Sequence, residues 1–287
     1  MALTDRAYVR ELLERHGFTF SKAMGQNFLI NPSVCPRMAE ESGARKGVGV
    51  LEVGPGIGVL TVELAKRADK VVCVELDDRL LPILDETLAD YDNVEIIHGD
   101  VLKVDLENII ATRFTGMDVV ICANLPYYIT TPILMRLLES RLPVEAITVM
   151  VQKEAAQRLC AKPGTRECGA ISAAIAYYAV PRQVFSVSAG SFMPAPNVDS
   201  SVIRLDVRKE PPVNTKNEQL LFNVVRGAFS QRRKTALNSI SSAIGMDKAT
   251  LSSCFEQAGV NAAARAEKLT LEQFSSLADA IFEKKNS

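Results

Sequence analysis

The chain has 287 residues, 47% of them hydrophobic, and a formal net charge of −1. This length is enough for one large domain or two ordinary ones, and the apolar content excludes a mainly disordered chain. The near-neutral charge excludes a protein that is basic throughout, so any contact with nucleic acid must depend on a local basic surface.

The six cysteines are scattered and include no Cys-x-x-Cys pair. This spacing favours free thiols in a reducing cytoplasm over a disulfide framework or a zinc site, so we expect no metal. Charged residues interrupt the N-terminal stretch, which therefore does not have the pattern of a signal peptide. No segment is long and apolar enough to span a bilayer, and we expect a cytoplasmic protein without membrane contact.

Two short helices are predicted before the first long strand. The amphipathic stretch Ala7–Arg15 is closed by Gly17, and Ser33–Ser42 is followed by Gly43. Glycine is favoured just after a helix, which supports both ends. Between the helices, residues 22–29 contain two amides beside an aromatic residue without a clear period, which indicates a loop. Considered alone, this loop is best interpreted as an incidental turn.

Short apolar runs alternate with helical segments from residue 48 onward. The predicted strands are Val48–Val53, Lys70–Glu75, Val94–His98, Met117–Ala123, Val144–Val151, Gln183–Val187 and Ser201–Val207. The predicted helices are Val59–Ala68, Arg79–Ala89, Pro132–Ser140 and the stretch Glu154–Tyr178. This alternation predicts an α/β fold with parallel strands and right-handed crossovers. Such sheets bind ligands at the carboxyl ends of their strands.

The stretch Val50–Gly58 connects the first of these strands to a helix through Gly54, Gly56 and Gly58. Glycine tolerates a positive φ and lets a ligand approach the backbone closely. Glu75 ends the next strand, 21 positions after Gly54, where a carboxylate can accept both hydroxyls of a ribose. The spacing differs from the dinucleotide fingerprint and no P-loop lysine follows, which predicts a nucleoside ligand without a pyrophosphate. A glycine turn that serves only as a connection is the alternative.

Two further strand ends carry candidate binding residues. Asp100 follows the third strand and can accept a hydrogen bond from an adenine amine, although Asp also commonly caps a turn. The segment Asn124-Leu-Pro-Tyr-Tyr128 follows the fourth strand and contains neither a nucleophile nor a base. The side-chain oxygen of Asn124 and the carbonyl of Leu125 can accept from an exocyclic amine, and Tyr127 can stack on a flat base. A proline turn with buried aromatic residues is the alternative.

Pro211-Pro212 marks a boundary, beyond which only helical periods remain. The predicted helices there are Asn217–Phe229, Lys234–Ala243, Lys248–Gln257 and Thr270–Phe282. Residues 219–246 contain no acid but include the basic residues Arg226, Arg232, Arg233 and Lys234. Cations are normally disfavoured at a helix start, so an external polyanion such as a phosphate backbone would stabilise this segment. A solvated basic face remains an open interpretation.

Six motifs occur along the chain in a fixed order. They are Gln-Asn-Phe-Leu at 26–29, Glu-Val-Gly-Pro-Gly-Ile-Gly at 52–58, Val-Glu-Leu-Asp at 74–77, Gly-Asp at 99–100, Asn-Leu-Pro-Tyr-Tyr at 124–128 and Phe-x-Pro-x-Pro-x-Val-Asp-Ser at 192–200. Together they resemble the ribosomal RNA adenine dimethyltransferases that depend on S-adenosyl-L-methionine. The resemblance covers nearly the whole chain, including the basic segment at 229–234, and is greatest for bacterial members that act on small-subunit (16S) RNA.

The resemblance implies a Rossmann-like class I methyltransferase sheet of seven mostly parallel strands, the last one antiparallel. Residues 1–210 would form the S-adenosylmethionine-binding catalytic domain with its N-terminal helical segment, and residues 211–287 a helical RNA-binding domain. The implied reaction dimethylates the exocyclic amines of two adjacent adenosines near the 3′ end of 16S rRNA, with a role in small-subunit biogenesis. The expected partner is 16S rRNA or an immature small ribosomal subunit, and the chain is expected to act as a monomer.

The resemblance also implies roles for individual residues. The implied cofactor-binding residues are Gln26, Asn27, Leu29, Gly54, Gly56, Glu75, Asp100 and Asn124, of which the first three would close over the cofactor. The implied catalytic residues are Asn124, Leu125, Tyr127 and Phe192, with Tyr127 and Phe192 on either side of the flipped adenine. The basic residues Arg226, Arg232, Arg233 and Lys234 are expected to contact RNA.

Other functions stay open. A large-subunit RNA enzyme of the antibiotic-resistance type would use the same chemistry, although the Asn-Leu-Pro-Tyr-Tyr form and the long helical C-terminus favour the small-subunit target. A non-catalytic ribosome-assembly or RNA-binding factor could share the fold, although the intact cofactor positions favour an enzyme. A DNA adenine methyltransferase would usually need a sequence-reading domain, which the sequence does not indicate.

Overall fold

The computed structural model describes residues 2–21 and 25–286. Residues 22–24, at the start of the predicted 22–29 loop, lie outside the described residues. The described chain divides into two compact units, of which the first contains the residues up to Ala156 together with Arg182–Val207. The second contains Gln157–Pro181 and the residues from Arg208 onward. Gln157–Pro181, which precede the expected boundary at 210/211, thus belong to the helical second unit.

The first unit is built on one large sheet. In the described part of the chain the strands are β1 (Phe28–Leu29), β2 (Val48–Val53), β3 (Lys70–Glu75), β4 (Val94–His98), β5 (Asp118–Asn124), β6 (Ala146–Gln152), β7 (Ala179–Val187), β8 (Phe192–Met193) and β9 (Ser200–Val207). Seven of them form a sheet in the order β4-β3-β2-β5-β6-β9-β7, while β1 pairs separately with β8. The pairs from β4 to β6 are parallel, and β9 is antiparallel to β6. The mostly parallel seven-stranded sheet with an antiparallel last strand is therefore confirmed.

Helices flank the sheet and make up most of the second unit. They are α1 (Arg6–Arg15), α2 (Val34–Ser42), α3 (Val59–Ala65), α4 (Leu81–Thr87), α5 (Leu106–Arg113), α6 (Thr130–Glu139), α7 (Lys153–Leu159), α8 (Ala170–Tyr178), α9 (Glu218–Phe229), α10 (Ala236–Ile244), α11 (Lys248–Gln257) and α12 (Leu271–Asn286). No helix in the described ranges has both the length and the apolar character needed to cross a membrane.

Two helical features differ from the sequence prediction. The short helix α5 was not predicted, although Asp105 caps it and Leu106, Ile109 and Ile110 are buried on one face. The predicted continuous stretch 154–178 is instead divided into α7 and α8. Gly164, in the connection, has a φ of +86°, which lies outside the right-handed helical region, so a continuous helix cannot pass through it.

The central strand β2 explains why the sheet forms here. All six of its residues are buried, because β3 and β5 pair on its two edges and helices cover its faces. A strand buried on both faces has the continuous apolar run seen in its sequence. Gly49 has no side chain because a Cβ there would lie 2.2 Å from the ring of Phe114. The parallel register brings the carboxyl ends of β2, β3, β4 and β5 to the same edge.

The second unit has its own core of helices. The rings of Tyr177 and Tyr178 pack on Phe222 with centroid separations of 5.2 and 5.4 Å. Both hydroxyls donate to the carboxylate of Glu218, at 3.0 and 2.9 Å, so this aromatic cluster leaves no buried hydroxyl unpaired. These contacts join α8 to the start of α9 and explain why the segment 157–181 belongs to the helical unit.

Candidate functional site

A cleft lies at the carboxyl edge of the sheet in the first unit, with about 920 Å³ of space including its open mouth. Seven of the expected cofactor-binding residues line it, namely Gln26, Asn27, Gly54, Gly56, Glu75, Asp100 and Asn124. Leu125 and Tyr127 from the expected catalytic set line it as well. The cleft thus brings together side chains from four strand ends and from the N-terminal segment.

The glycine turn after β2 forms one wall of the cleft. Gly54 and Gly56 have φ values of +68° and +62°, which L-residues with side chains rarely adopt. A Cβ on Gly54 would meet no atom within 4 Å, and one on Gly56 would lie 3.3 Å from the ring of Phe28. The backbone here is therefore bare toward the cleft, and a side chain at Gly54 would occupy space that a ligand can use.

Glu75, at the end of β3, supplies a buried carboxylate. Its side chain is 5% exposed, and one oxygen accepts a hydrogen bond from the backbone N–H of Asp77 at 2.8 Å. Burial raises the pKa of Glu75, while hydrogen bonds from the backbone amides of Asp77 and Gly56 oppose that rise. A carboxylate has about four acceptor positions, so capacity remains for the hydroxyls of a ligand.

Asp100, which follows β4, caps a turn at the edge of the cleft. It lines the cleft, and its Oδ1 accepts a hydrogen bond from the backbone N–H of Leu102 at 3.0 Å. Its Oδ2 lies 3.4 Å from the ammonium of Lys103. The turn-capping role is therefore present, and it holds the carboxylate in a fixed orientation at the cleft.

The segment after β5 forms the opposite wall. The side-chain amide nitrogen of Asn124 donates a hydrogen bond to the carbonyl of Asn27 at 3.5 Å. The side-chain oxygen of Asn124 therefore remains available to accept a hydrogen bond from a ligand. Leu125 is 1% exposed, and its N–H donates to the carbonyl of Met150 at 3.3 Å. The hydroxyl of Tyr127 lies 2.5 Å from the hydroxyl of Ser200, which anchors the outer end of the ring. This wall offers acceptors and a flat apolar surface.

Leu29 and Phe192 occupy other positions. Both are buried, at 3% and 1% exposure, and they are paired with each other in the ladder between β1 and β8. Leu29 lines a smaller neighbouring cavity together with Glu52 and Asn124. Phe192 does not line the cleft in this structure, so the structure does not bring it face to face with Tyr127.

The family model for ribosomal RNA adenine dimethylase matches residues 17–283. The chain belongs to this family. Its relatives include the ribosomal RNA small subunit methyltransferase A of Geobacillus sp., 48% identical over 276 residues that cover 95% of each chain. The protein of the same name in Shouchella clausii is 47% identical over 279 residues, covering 96% of this chain and 94% of that one.

Two solved structures share the fold over most of the chain. The 23S rRNA methyltransferase ErmE is 27% identical with a TM-score of 0.67, covering 89% of this chain and all of that one (100%). A dimethyladenosine transferase from Plasmodium falciparum is 24% identical with a TM-score of 0.73, covering 90% and 98%. The sheet described above is therefore the Rossmann-like methyltransferase sheet that these two structures share.

One link in this family member was not predicted from the sequence. Asp77 is 4% exposed and accepts hydrogen bonds from Gln26 at 2.7 Å and from Arg79 at 2.6 Å. Arg79, which lowers the pKa of Asp77, also donates to the carbonyl of Thr19 at 3.3 Å and lies 5.0 Å from the ring centroid of Phe18. The N-terminal segment is thus held at the cleft by an ion pair at the end of β3. The signal in the sequence that could have predicted this ion pair is Asp77, the last residue of the 74–77 motif, followed two positions later by Arg79.

A second buried acid lies behind the glycine turn. Glu52 is 1% exposed, and its Oε2 accepts a weak hydrogen bond from the thiol of Cys73 at 3.4 Å. Burial raises the pKa of Glu52 to about 7, and the hydrogen bond from Cys73 opposes part of that rise. The sequence shows Glu52 two positions before Gly54, but it did not predict that this acid is buried.

The basic residues lie in the helical unit and are all exposed. Arg232, Arg233 and Lys234 form a turn just before α10, whose N-cap is Thr235. Arg226, in the last turn of α9, donates to the side-chain oxygen of Asn223 at 2.8 Å. None of these four cations is in an ion pair with another described residue. The predicted location at a helix start is confirmed, although the helix begins two residues later than predicted.

Proposed function

We propose that this chain transfers methyl groups from S-adenosylmethionine to the exocyclic amines of two adjacent adenosines near the 3′ end of 16S rRNA. The observation that carries the proposal is the cleft, in which Glu75, Asp100 and Asn124 meet beside the glycine turn. Family membership supports adenine in ribosomal RNA as the substrate. The small-subunit name of relatives near 48% identity supports the 16S target.

The cleft fits the cofactor by the chemistry of its donors and acceptors. The bare backbone at Gly54 and Gly56 would accommodate the methionine portion, because no side chain covers it. Glu75 would accept the ribose hydroxyls and Asp100 the adenine amine. Gln26, Asn27 and Leu29 would close the site from the N-terminal segment. When bound, S-adenosylmethionine supplies a methyl group on a sulfonium, which needs no further activation.

The target base would occupy the wall formed by the segment after β5. An adenine amine is a weak nucleophile because its lone pair is delocalised into the ring. The Asn124 side-chain oxygen and the Leu125 carbonyl would accept hydrogen bonds from its two N–H groups and favour a pyramidal nitrogen. Alignment of the amine for in-line attack then supplies most of the rate enhancement. The ring of Tyr127 would stack on the base and hold it in this plane.

Each transfer releases one proton from the amine, and no side chain has to remove it beforehand. The nitrogen becomes acidic once it has gained the methyl group, so the proton can pass to water at the cleft mouth. A monomethylated amine retains one N–H, so the second transfer would use only one of the two acceptors. Phe192 would complete the base pocket by moving from its buried position beside Leu29, because it does not line the cleft as the chain stands.

The remaining assignments concern the RNA. Residues 1–210 would act as the catalytic domain and residues 211–287 as an RNA-binding domain, with Arg226, Arg232, Arg233 and Lys234 contacting phosphates. Exposed cations without acidic partners support this role, since they attract a polyanion and release counterions on binding. We place the chain in the cytoplasm as a monomer acting on immature small subunits, where a contribution to their assembly would accompany catalysis. The free cysteines fit a reducing compartment.

A large-subunit target is the second candidate. It is favoured by the structural similarity to the 23S rRNA methyltransferase ErmE, which spans 89% of this chain. The identity of 27% to that protein is well below the 48% to a relative named for the small subunit. We therefore rank the small subunit first.

The two targets can be distinguished by methyl transfer and mapping. The purified chain is incubated with tritiated S-adenosylmethionine and either small or large subunits isolated from cells that lack its gene. Primer extension then locates any dimethylated adenosines. Paired stops near the 3′ end of 16S rRNA are expected. Stops only in 23S rRNA would replace the proposal with the second candidate, and labelling of neither would overturn both.

A further inference from the structure

An open groove lies in the helical unit, apart from the segment 232–234. It has about 900 Å³ of space, including its solvent-exposed side, and is lined by α9, α10 and the end of α12. Its floor is formed where Gly227 of α9 faces Ala243 of α10. A Cβ on Gly227 would lie 2.9 Å from that of Ala243, so glycine allows the two helices to approach closely.

The groove carries positive charge without acidic compensation. Arg226 and Lys285 line it, and no acid is among its described lining residues. Both cations are exposed and form no ion pair with any described residue. The acid nearest to Lys285 along the chain is Glu283, and it is engaged by Lys216 and by Gln257 at 2.6 Å. The two cations that line the groove are therefore uncompensated by any acid among its described lining residues.

The polar groups of the groove are arranged in advance. The side-chain oxygen of Asn223 holds the guanidinium of Arg226 at 2.8 Å, and this neutral partner leaves the charge uncompensated. Asn223, Arg226 and Ser230 recur at helical spacing, so they lie along one side of α9. The hydroxyl of Ser230 donates its hydrogen to the carbonyl of Gly227 at 2.7 Å, so the donors that remain in the groove for an anion are mainly the two cations.

We propose that this groove binds one or two consecutive phosphates of the ribosomal RNA backbone, with Lys285 and Arg226 as the two contacts. A guanidinium presents a planar fork to phosphate oxygens and an ammonium acts as a point charge, so the pair suits a phosphodiester. Such contacts orient a protein on RNA without reading its sequence. The proposal rests on the function proposed above and extends the RNA surface from residues 232–234 to the end of α12.

Lys284 provides a matched control, because it is adjacent to Lys285 and exposed but does not line the groove. Lys285→Gln, Arg226→Gln and Lys284→Gln remove the same charge. Binding of each variant to unmethylated small subunits is measured by filter binding between about 50 and 200 mM salt.

Each groove variant is expected to flatten the slope of log affinity against log salt by about 0.7 to 0.9, the contribution of one phosphate contact. At about 0.1 M salt this corresponds to roughly five- to tenfold weaker binding. Lys284→Gln should bind like the wild type. Thermal unfolding and the affinity for S-adenosylhomocysteine should be unchanged in all three.

The inference is overturned if Lys285→Gln binds with the wild-type slope, or if Lys284→Gln weakens binding to the same extent. Should Arg226→Gln unfold early, Lys285→Gln alone decides, because its side chain has no ion pair to lose. Methyl transfer by the wild-type chain to the same subunits is measured in parallel. Absence of transfer overturns the proposed function, whereas transfer combined with normal binding by Lys285→Gln overturns only the groove.

Discussion

The cleft and the basic segment of the helical unit use charge in opposite ways. In the cleft, Glu75 and Asp77 are 5% and 4% exposed and accept hydrogen bonds from defined partners. In the basic segment, Arg232, Arg233 and Lys234 are exposed and lack ion pairs with described residues. Buried charge is tolerated only with partners, so these two carboxylates are oriented by the protein itself. Exposed charges are screened by salt, so their attraction for a polyanion depends strongly on salt concentration and only weakly on exact position.

This contrast separates the expected effects of substitutions. Changes in the cleft should alter turnover or cofactor affinity at any salt concentration. Changes in the basic segment should alter RNA binding alone, and less so at high salt. A substitution in the basic segment that changed cofactor affinity, or one in the cleft whose effect depended on salt, would contradict this division of roles.

The largest effect is expected for Asn124→Ala. Removing the side-chain oxygen takes away one of the two acceptors proposed for the amine, and kcat should fall roughly a thousandfold, as for other lost transition-state hydrogen bonds. Thermal unfolding should be unchanged. A tritiated-methyl assay on small subunits measures the rate, with Asn108→Ala, an exposed position on α5, as the control. A rate within tenfold of the wild type would refute the role.

Replacing Arg232, Arg233 and Lys234 together by Gln should weaken binding to small subunits about a hundredfold at 0.1 M salt. The slope of log affinity against log salt should flatten by about 2 to 3, if each cation contacts one phosphate. Affinity for S-adenosylhomocysteine, measured by calorimetry, should not change.

The control for this variant removes the same charge elsewhere. It replaces Arg15, Lys46 and Lys66, cations that are paired with acids, by Gln. Equal weakening by both triple variants would show that net charge, and not the position of the basic segment, determines RNA binding.

The buried residue Glu52 allows the loss of folding stability caused by a buried negative charge to be measured. Its pKa of about 7 lies above the ordinary 4.5, so the stability due to its neutral form is fully present below pH 4.5 and is lost as the pH rises through 7. Between about pH 5 and 8 the wild type should lose about 2 to 3 kcal/mol that Glu52→Gln does not lose. Urea unfolding across this range measures the difference. The exposed substitution Glu40→Gln should follow the wild type, and parallel curves for Glu52→Gln and the wild type would disprove the shift.

Glu75→Gln should weaken binding of S-adenosylhomocysteine by about tenfold, because hydrogen bonds to a charged acceptor contribute more than those to a neutral one. The amide oxygen can still accept from Asp77, so the turn should be retained. Calorimetry measures the affinity. Glu95→Gln is the control, since Glu95 lies on neighbouring β4 and pairs with Lys70 and Arg113 away from the cleft.

The smallest effect is expected for Asp77→Asn, which weakens the ion pair holding the N-terminal segment. Arg79 is exposed to solvent, so the pair contributes little and cofactor affinity should fall by only about threefold to fivefold. Proteolysis within residues 18–30 should become faster. The neighbouring exposed Asp78→Asn serves as the control. If the two variants behave alike, Asp77 does not hold this segment.

The strands nearest the site were predictable because each is a short apolar run that ends abruptly. β2, β3 and β4 have the predicted bounds, since Gly54, Leu76 and Gly99 follow them with no helical continuation. The convergence of Gly54, Glu75, Asp100 and Asn124 followed from the same reasoning, because parallel strands end at a common edge. The helix α5 was missed because only three of its residues, Leu106, Ile109 and Ile110, are buried, which gives a weak periodic signal.

The position of Phe192 could not be predicted. Its burial depends on the two-residue ladder between β1 and β8, whose strands are 163 positions apart at the pairing of Leu29 with Phe192. A strand of two residues is too short to show a recognisable periodic pattern, so no local sequence signal predicts this pairing. The same holds for the link from Gln26 to Asp77, which spans 51 positions.

The order of motifs along the chain determined the family, the α/β architecture and the edge of the sheet where ligands bind, because these depend on local patterns and on the rule that parallel strands end together. Tertiary structure alone decided which charged groups are buried, which side chains they contact and which aromatic residues face the cleft. Burial and pairing arise from segments that are distant in sequence, and no local pattern records which of them will meet.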